Sequence, residues 1–128
     1  MPTIADVMRD EWIETAPEDT LGEVAERMSA LNMGAAAVLD FGRLIGILTE
    51  RDLIKAMAAR VHSSEARVRE WMTADPITAT LGTDVDEAAQ VMVEHGFRHL
   101  PVLDESGQLA GLVSLRRVVA GATVADPA

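Results

Sequence analysis

Apolar residues recur at helical spacing from Leu21 through Val24, Ala25 and Met28 to Leu31. That spacing places them on one stripe of a helix. Thr20 and Glu23 stand three apart, as in a capping box, so the helix starts at Thr20. Gly34 closes the segment. The period then changes. Residues 36–40 form a short apolar run, Phe41-Gly42 a turn, and residues 44–49 a second run rich in Ile and Leu. Residues 50–59 return to helical character, with Leu53, Ile54 and Met57 on one side. A short extended piece at 13–15 precedes the first helix. The order is strand, helix, strand, strand, helix.

The chain then repeats this grammar. Residues 7–40 realign on 71–104 with a constant shift of 64, and Met8, Glu23, Met28 and Asp40 fall on Met72, Glu87, Met92 and Asp104. After Asp40 the shift becomes 65, and Gly46 and Arg51 match Gly111 and Arg116. In the second copy, Asp84 and Glu87 open a helix with Val85, Ala88, Ala89 and Met92 as its stripe, and Gly96 ends it. Residues 100–103 and 109–114 are strands around Glu105-Ser106-Gly107, which suits a hairpin. These apolar runs read as buried rather than one-sided. Residues 115–122 form the last helix, and the tail after Gly121 is expected to fray. Residues 59–66 are the polar link. The predicted repeats are 4–62 and 67–122, of an α/β (α+β) class. Two copies of one supersecondary unit bury their apolar faces together. One core shared by both hairpins is therefore expected, with any ligand in the cleft between copies.

Composition narrows the function. The chain has 128 residues, 48% of them hydrophobic, enough for a core of one compact domain or a tight pair of half-domains. There is no Cys, hence no disulfide framework and no thiolate metal site. No apolar run approaches the ~20 residues of a membrane span, and no secretory signal pattern leads the chain. A cytoplasmic location without membrane association is expected. The formal net charge is -10, which opposes nucleic-acid binding through a general basic surface. Aromatics are 3%, too few for base-stacking platforms. His95 and His99 are four apart, but Gly96 breaks the helix between them and no third ligand is evident, so no metal site is expected. No nucleophile triad, Walker loop or Gly-rich dinucleotide loop occurs, so the chain is not read as an enzyme.

Several stretches then point to a family. They are Gly46-Ile47-Leu48-Thr49-Glu50-Arg51-Asp52 in the first copy, and Phe97-Arg98-His99-Leu100-Pro101-Val102-Leu103-Asp104 with Gly111-Leu112-Val113-Ser114 in the second. The lead-ins Asp6-Val7-Met8 and Trp71-Met72-Thr73-Ala74-Asp75-Pro76 add to them. Together they resemble a tandem cystathionine-β-synthase (CBS) domain pair, a Bateman module. The resemblance covers residues 4 to about 122 and marks a stand-alone, bacterial-type CBS protein. It implies two β-α-β-β-α repeats packed sheet to sheet with pseudo-twofold symmetry. It also implies clefts for AMP, ADP, ATP or S-adenosylmethionine as regulatory ligands, with no obligatory cofactor. Signalling would pass through a homodimer or an effector protein. The alternative is a ligand-free dimerisation scaffold.

Read locally, Thr49 is an N-cap and Asp52 a carboxylate in the first helical turn, complementing the dipole. A carboxylate there can also accept hydrogen bonds from both ribose hydroxyls, with Thr49 adding a hydroxyl. The resemblance favours ribose binding, with capping alongside it. The second copy has Arg117 at the position of Asp52, preceded by Arg116. Arg has donors and no acceptor, so it cannot take a ribose proton. Arg116 and Arg117 are either surface charges or phosphate ligands. By resemblance, Arg98 and His99 approach phosphate, Ile47, Ile77 and Phe97 line the base, and Ser114 corresponds to Thr49. One dominant site, with Asp52 at its ribose, is expected.

Overall fold

The computed structural model describes residues 2–9 and 11–125, with 122–125 described by backbone alone. The elements are α1 (Ile4–Val7), β1 (Glu14–Thr15), α2 (Leu21–Leu31), β2 (Ala35–Asp40), β3 (Arg43–Thr49), α3 (Glu50–Ala58), α4 (Val68–Trp71) and β4 (Thr73–Ala74). They continue with β5 (Ala79–Thr80), α5 (Val85–His95), β6 (His99–Leu103), β7 (Leu109–Ser114) and α6 (Leu115–Ala125). The last helix therefore continues past Gly121, where a frayed tail was expected. The rest of that tail, residues 126–128, lies outside the described residues.

The chain forms two compact units, and their boundaries do not follow the repeat register. Among the described residues, one unit is 12–76, and the other combines 2–9 and 11 with 77–125. The buried apolar residues form two clusters, one per unit, where a single core shared by both hairpins was expected. The cause is an exchange of lead-ins. Helix α1, at the head of the first repeat, packs into the unit of the second. Ile4 is fully buried there with Val85, Met92, Leu100 and Val118. Its backbone is tied by Ile4 N to the Thr83 carbonyl at 2.8 Å and Ala5 N to the Leu81 carbonyl at 3.1 Å. Helix α4, at the head of the second repeat, packs into residues 12–76. Val68 is fully buried there with Ile13, Val24, Met28 and Leu48. Its N–H donates to the Asp19 carbonyl at 2.9 Å.

Residues 12–76 carry a four-stranded sheet in the order β1-β2-β3-β4. Strand β1 is parallel to β2, and the other neighbours are antiparallel. Ala35, Ala36, Ala37 and Val38 are all buried, so β2 is covered on both faces and reads as a continuous apolar run. The Thr20–Glu23 capping box forms as the spacing requires. The other unit carries β5-β6-β7, with β5 parallel to β6 and β6 antiparallel to β7. Asp104 closes that hairpin, its Oδ1 accepting from Ser106 N at 2.8 Å, Ser106 Oγ at 2.7 Å and Gln108 N at 3.0 Å.

In each unit a methionine of the lead-in lies over a strand glycine. A Cβ on Gly46 would come 2.7 Å from Met72 Sδ and 3.0 Å from the Thr73 carbonyl oxygen. A Cβ on Gly111 would come 2.7 Å from Met8 Sδ. At Gly46 the backbone carbonyl as well as the thioether stands in the way of a side chain, whereas at Gly111 only the flexible Met8 side chain does. The close approach sets the lead-in directly against the strand that delivers the following helix.

Candidate functional site

Strand β3 ends at Thr49, and α3 begins at Glu50. The turn between them is fixed by a reciprocal cap. Asp52 N donates to Thr49 Oγ1 at 3.3 Å, and Thr49 N donates to Asp52 Oδ2 at 3.0 Å. Thr49 Oγ1 also gives its single proton to Asp52 Oδ2, at 3.1 Å. The Thr49 hydroxyl is thus committed to the cap and has only acceptor capacity to spare.

Asp52 is 6% exposed. Its Oδ2 is occupied by the two Thr49 donors. Its Oδ1 faces Thr73 Oγ1 at 3.5 Å, a distance at the limit of hydrogen bonding. A carboxylate offers about four lone-pair positions. Oδ1 therefore retains acceptor capacity, in the first turn of α3, where the Glu50 and Asp52 amides are already taken by the Gly34 carbonyl and Thr49 Oγ1. Ile47, two residues before Thr49, is buried in β3, and its register partner is Thr73. Of these neighbours, Ile47, Thr49 and Asp52 were expected site residues, and Thr73 was not among them. The cue was its place directly after Met72 in a lead-in that resembles the family.

The remaining expected site residues all belong to the unit of residues 77–125. His99 and Ser114 are register partners across β6 and β7. The Arg98 carbonyl accepts from Leu115 N at 2.8 Å. Ser114 Oγ accepts from Arg117 N at 3.2 Å, the counterpart of the Thr49 cap. The structure thus brings Arg98, His99, Ser114, Arg116 and Arg117 to the start of α6. The Arg117 side chain turns to the lead-in, and its Nε donates to the Val7 carbonyl at 3.1 Å. That carbonyl ends α1, where a cation complements the helix dipole. Arg98 and Arg116 are exposed. Phe97 is partly buried against the apolar cluster and stacks on His95, with centroids 5.4 Å apart. Ile77 is 39% exposed.

An open groove of about 440 Å³ lies along the polar link and α4, lined by Val61, His62, Glu65, Ala66, Glu70 and Trp71. It contains none of the expected site residues. Among the described residues no group of three His, Cys, Asp or Glu side chains is arranged to hold a metal. No helix among them is long and apolar enough to cross a membrane.

Comparison with known proteins gives the following. The family model for the CBS domain matches residues 4–59 and 68–121. A CBS-domain containing protein of Agrobacterium tumefaciens has the same fold, with a TM-score of 0.86 and 32% identity over 94% of this chain and 98% of that one. The CBS domain pair of protein MJ0100, solved in complex with 5′-methylthioadenosine and S-adenosyl-L-methionine, matches with a TM-score of 0.86 and 24% identity, covering 98% and 99%. A CBS domain protein of Pyrobaculum aerophilum complexed with AMP matches at 0.84 and 22%, covering 95% and 98%. At these last two identities the likeness is one of fold. The chain spans about 60% of the length of the first curated relatives it matches.

Proposed function

Because this chain belongs to the CBS-domain family, we propose that it is a regulatory module that senses an adenosine-containing small molecule and holds its ribose at Asp52. One observation carries this reading. Asp52 is a buried carboxylate with one oxygen engaged by the cap, while the other, among the described residues, meets a hydroxyl at 3.5 Å. The ligands named for the two liganded neighbours, AMP and the methylthioadenosine and S-adenosylmethionine pair, share adenosine. A ribose diol is what an open carboxylate oxygen recognises.

The basic start of α6, with Arg98, His99, Arg116 and Arg117, is a second place that draws anionic groups. It lacks the ribose acceptor. The repeats 4–62 and 67–122 act as one module without catalysis of their own, in the cytoplasm. Their output passes to a second copy or to an effector protein.

A second reading is favoured by Arg117, whose Nε is engaged by the Val7 carbonyl. In it the chain is a ligand-free scaffold for dimerisation. Calorimetric titration with adenosine, AMP, ADP, ATP and S-adenosylmethionine separates the two. Sensing predicts saturable binding of at least one ligand. It also predicts that Asp52→Ala, which removes the acceptor, weakens it by roughly 1.5–3 kcal/mol, the worth of a hydrogen bond to a charged group, or about one to two decades. No binding across the panel leaves the scaffold.

A further inference from the structure

The open groove along the polar link and α4 has an apolar floor. Val61 and Trp71 pack against the cluster of residues 12–76, and Ala66 is buried beside them. The charged side chains of its lining are acidic, Glu65 and Glu70, next to the His62 ring. The arginines of this segment are engaged elsewhere. Arg67 Nη1 donates to the Glu18 carbonyl at 2.9 Å, and Arg69 Nε pairs with Glu18 Oε1 at 2.7 Å. Glu65 is exposed. Glu70 accepts the Arg67 N–H on Oε1 at 2.8 Å, the cap of α4, and its second oxygen keeps acceptor capacity.

The internal repeat shows how little the lead-in fold itself requires here. At the 64-residue shift Glu70 and Trp71 fall on Asp6 and Val7. Asp6 caps α1 as Glu70 caps α4, and Val7 packs on its own cluster as Trp71 does. An acid and a small apolar residue therefore serve the fold. The indole exceeds that task, and it remains partly exposed, lining the groove. An aromatic wall, an apolar floor and two carboxylates complement a cation carried on an apolar stem. Guanidinium suits them better than ammonium, because it is planar, stacks on indole and meets carboxylates as a fork.

We propose that this groove docks an arginine side chain from an apolar segment of a partner protein, its guanidinium stacked on Trp71 and paired with Glu65 and Glu70. The groove shares no residue with the Asp52 site, and the inference does not depend on the ribose reading.

The test titrates the full chain with the blocked peptide Ala-Leu-Arg-Leu-Ala and with the same peptide carrying neutral citrulline for arginine. The indole N–H signal of Trp71 is followed by NMR, with Trp12 as the internal reference, and melting temperature confirms that each variant folds. The arginine peptide should shift the Trp71 signal saturably and the citrulline peptide should not. Trp71→Leu, followed by calorimetry, should weaken binding about two- to fivefold, as for an exposed cation–π contact. Glu65→Gln with Glu70→Gln, which keeps an acceptor for the α4 cap, should weaken it about fivefold, as for two exposed ion pairs. If Trp71→Leu melts far below the parent, the glutamine pair decides. Equal binding of the citrulline peptide overturns the proposal, as does an unmoved Trp71 signal at about 10 mM peptide, tenfold above a millimolar dissociation constant. Equal binding of N-acetylarginine amide alone marks a small-cation site and overturns the protein partner. A Trp71 signal that moves with protein concentration, and stops moving in Arg98→Glu with Arg116→Glu, makes the occupant a second copy and overturns it too.

Discussion

Replacing Ile4 by Ala tests the exchange of lead-ins. Ile4 is 0% exposed and belongs to the cluster of Val85, Met92, Leu100 and Val118, far along the chain from its own position. The substitution removes three carbons. At about 0.8 kcal/mol per buried methylene, the transfer loss is roughly 2.4 kcal/mol. A residual cavity adds to it, which gives a total of about 2–5 kcal/mol. At 1.4 kcal/mol per decade, opening of the affected unit rises by about 1.5 to 3.5 decades. Amide hydrogen exchange read by peptide reports where this happens. Protection should fall in β6, β7 and α5, while β2 and β3 keep theirs. Val68→Ala should do the reverse, because Val68 fills the cluster of Val24, Met28 and Leu48. It removes two methyl carbons and should cost roughly 1.5–3 kcal/mol. If Ile4→Ala deprotects β2 and β3 and spares β6 and β7, each lead-in serves its own repeat and the reasoning fails. A uniform loss across the chain would show one cooperative core and also refute it.

Gly46→Ala should destabilise more than Gly111→Ala in denaturant titration, by about 1–3 kcal/mol for the larger effect. The new methyl at Gly46 meets a backbone carbonyl as well as a methionine, whereas that at Gly111 meets only the flexible Met8 side chain. The Asp19 carboxyl is held below its ordinary 3.8, first by the Ala16 N–H and then by the Thr15 hydroxyl, against an opposing effect of burial that exceeds the further lowering by the Arg27 charge. A depressed acid stabilises the fold above its unfolded value and loses that contribution as pH falls through its folded value. Melting temperature followed downward from about pH 4 should therefore fall less steeply in Asp19→Asn than in the parent, and parallel curves would refute the assignment. Arg117→Ala should cost about 1 kcal/mol by releasing the Val7 carbonyl at the end of α1. Faster exchange should then appear around residues 4–8, which a plain surface charge would not produce.

The parts of the fold that could be read in the sequence are those whose cause is local. Helices α2 and α5 carry full apolar stripes, the Thr20–Glu23 spacing forms its cap, and each hairpin is two apolar runs around a turn. The lead-in helices escaped because four residues cannot show a helical period. Ile4–Val7 and Val68–Trp71 each carry a local cap, Asp6 on Thr3 N and Glu70 on Arg67 N, and bury Ile4 and Val68 against partners distant in sequence. Periodicity says that a residue is apolar-facing. It does not say which core it faces, so the internal match placed each lead-in with its own repeat. The site divides along the same line. The Thr49–Asp52 pair spans three residues and is visible as a motif. The Asp52–Thr73 contact crosses 21 residues and the Arg117–Val7 contact 110, and both exist only after the exchange has formed. These two contacts correspond to each other. In each unit the first turn of the closing helix reaches the lead-in taken from the other repeat. Arg117 makes that contact as a donor and has no acceptor to offer. Asp52 makes it as an acceptor with one oxygen still under-used. The side chain at this one position therefore decides whether the first turn of the closing helix meets the lead-in as a donor or as an acceptor.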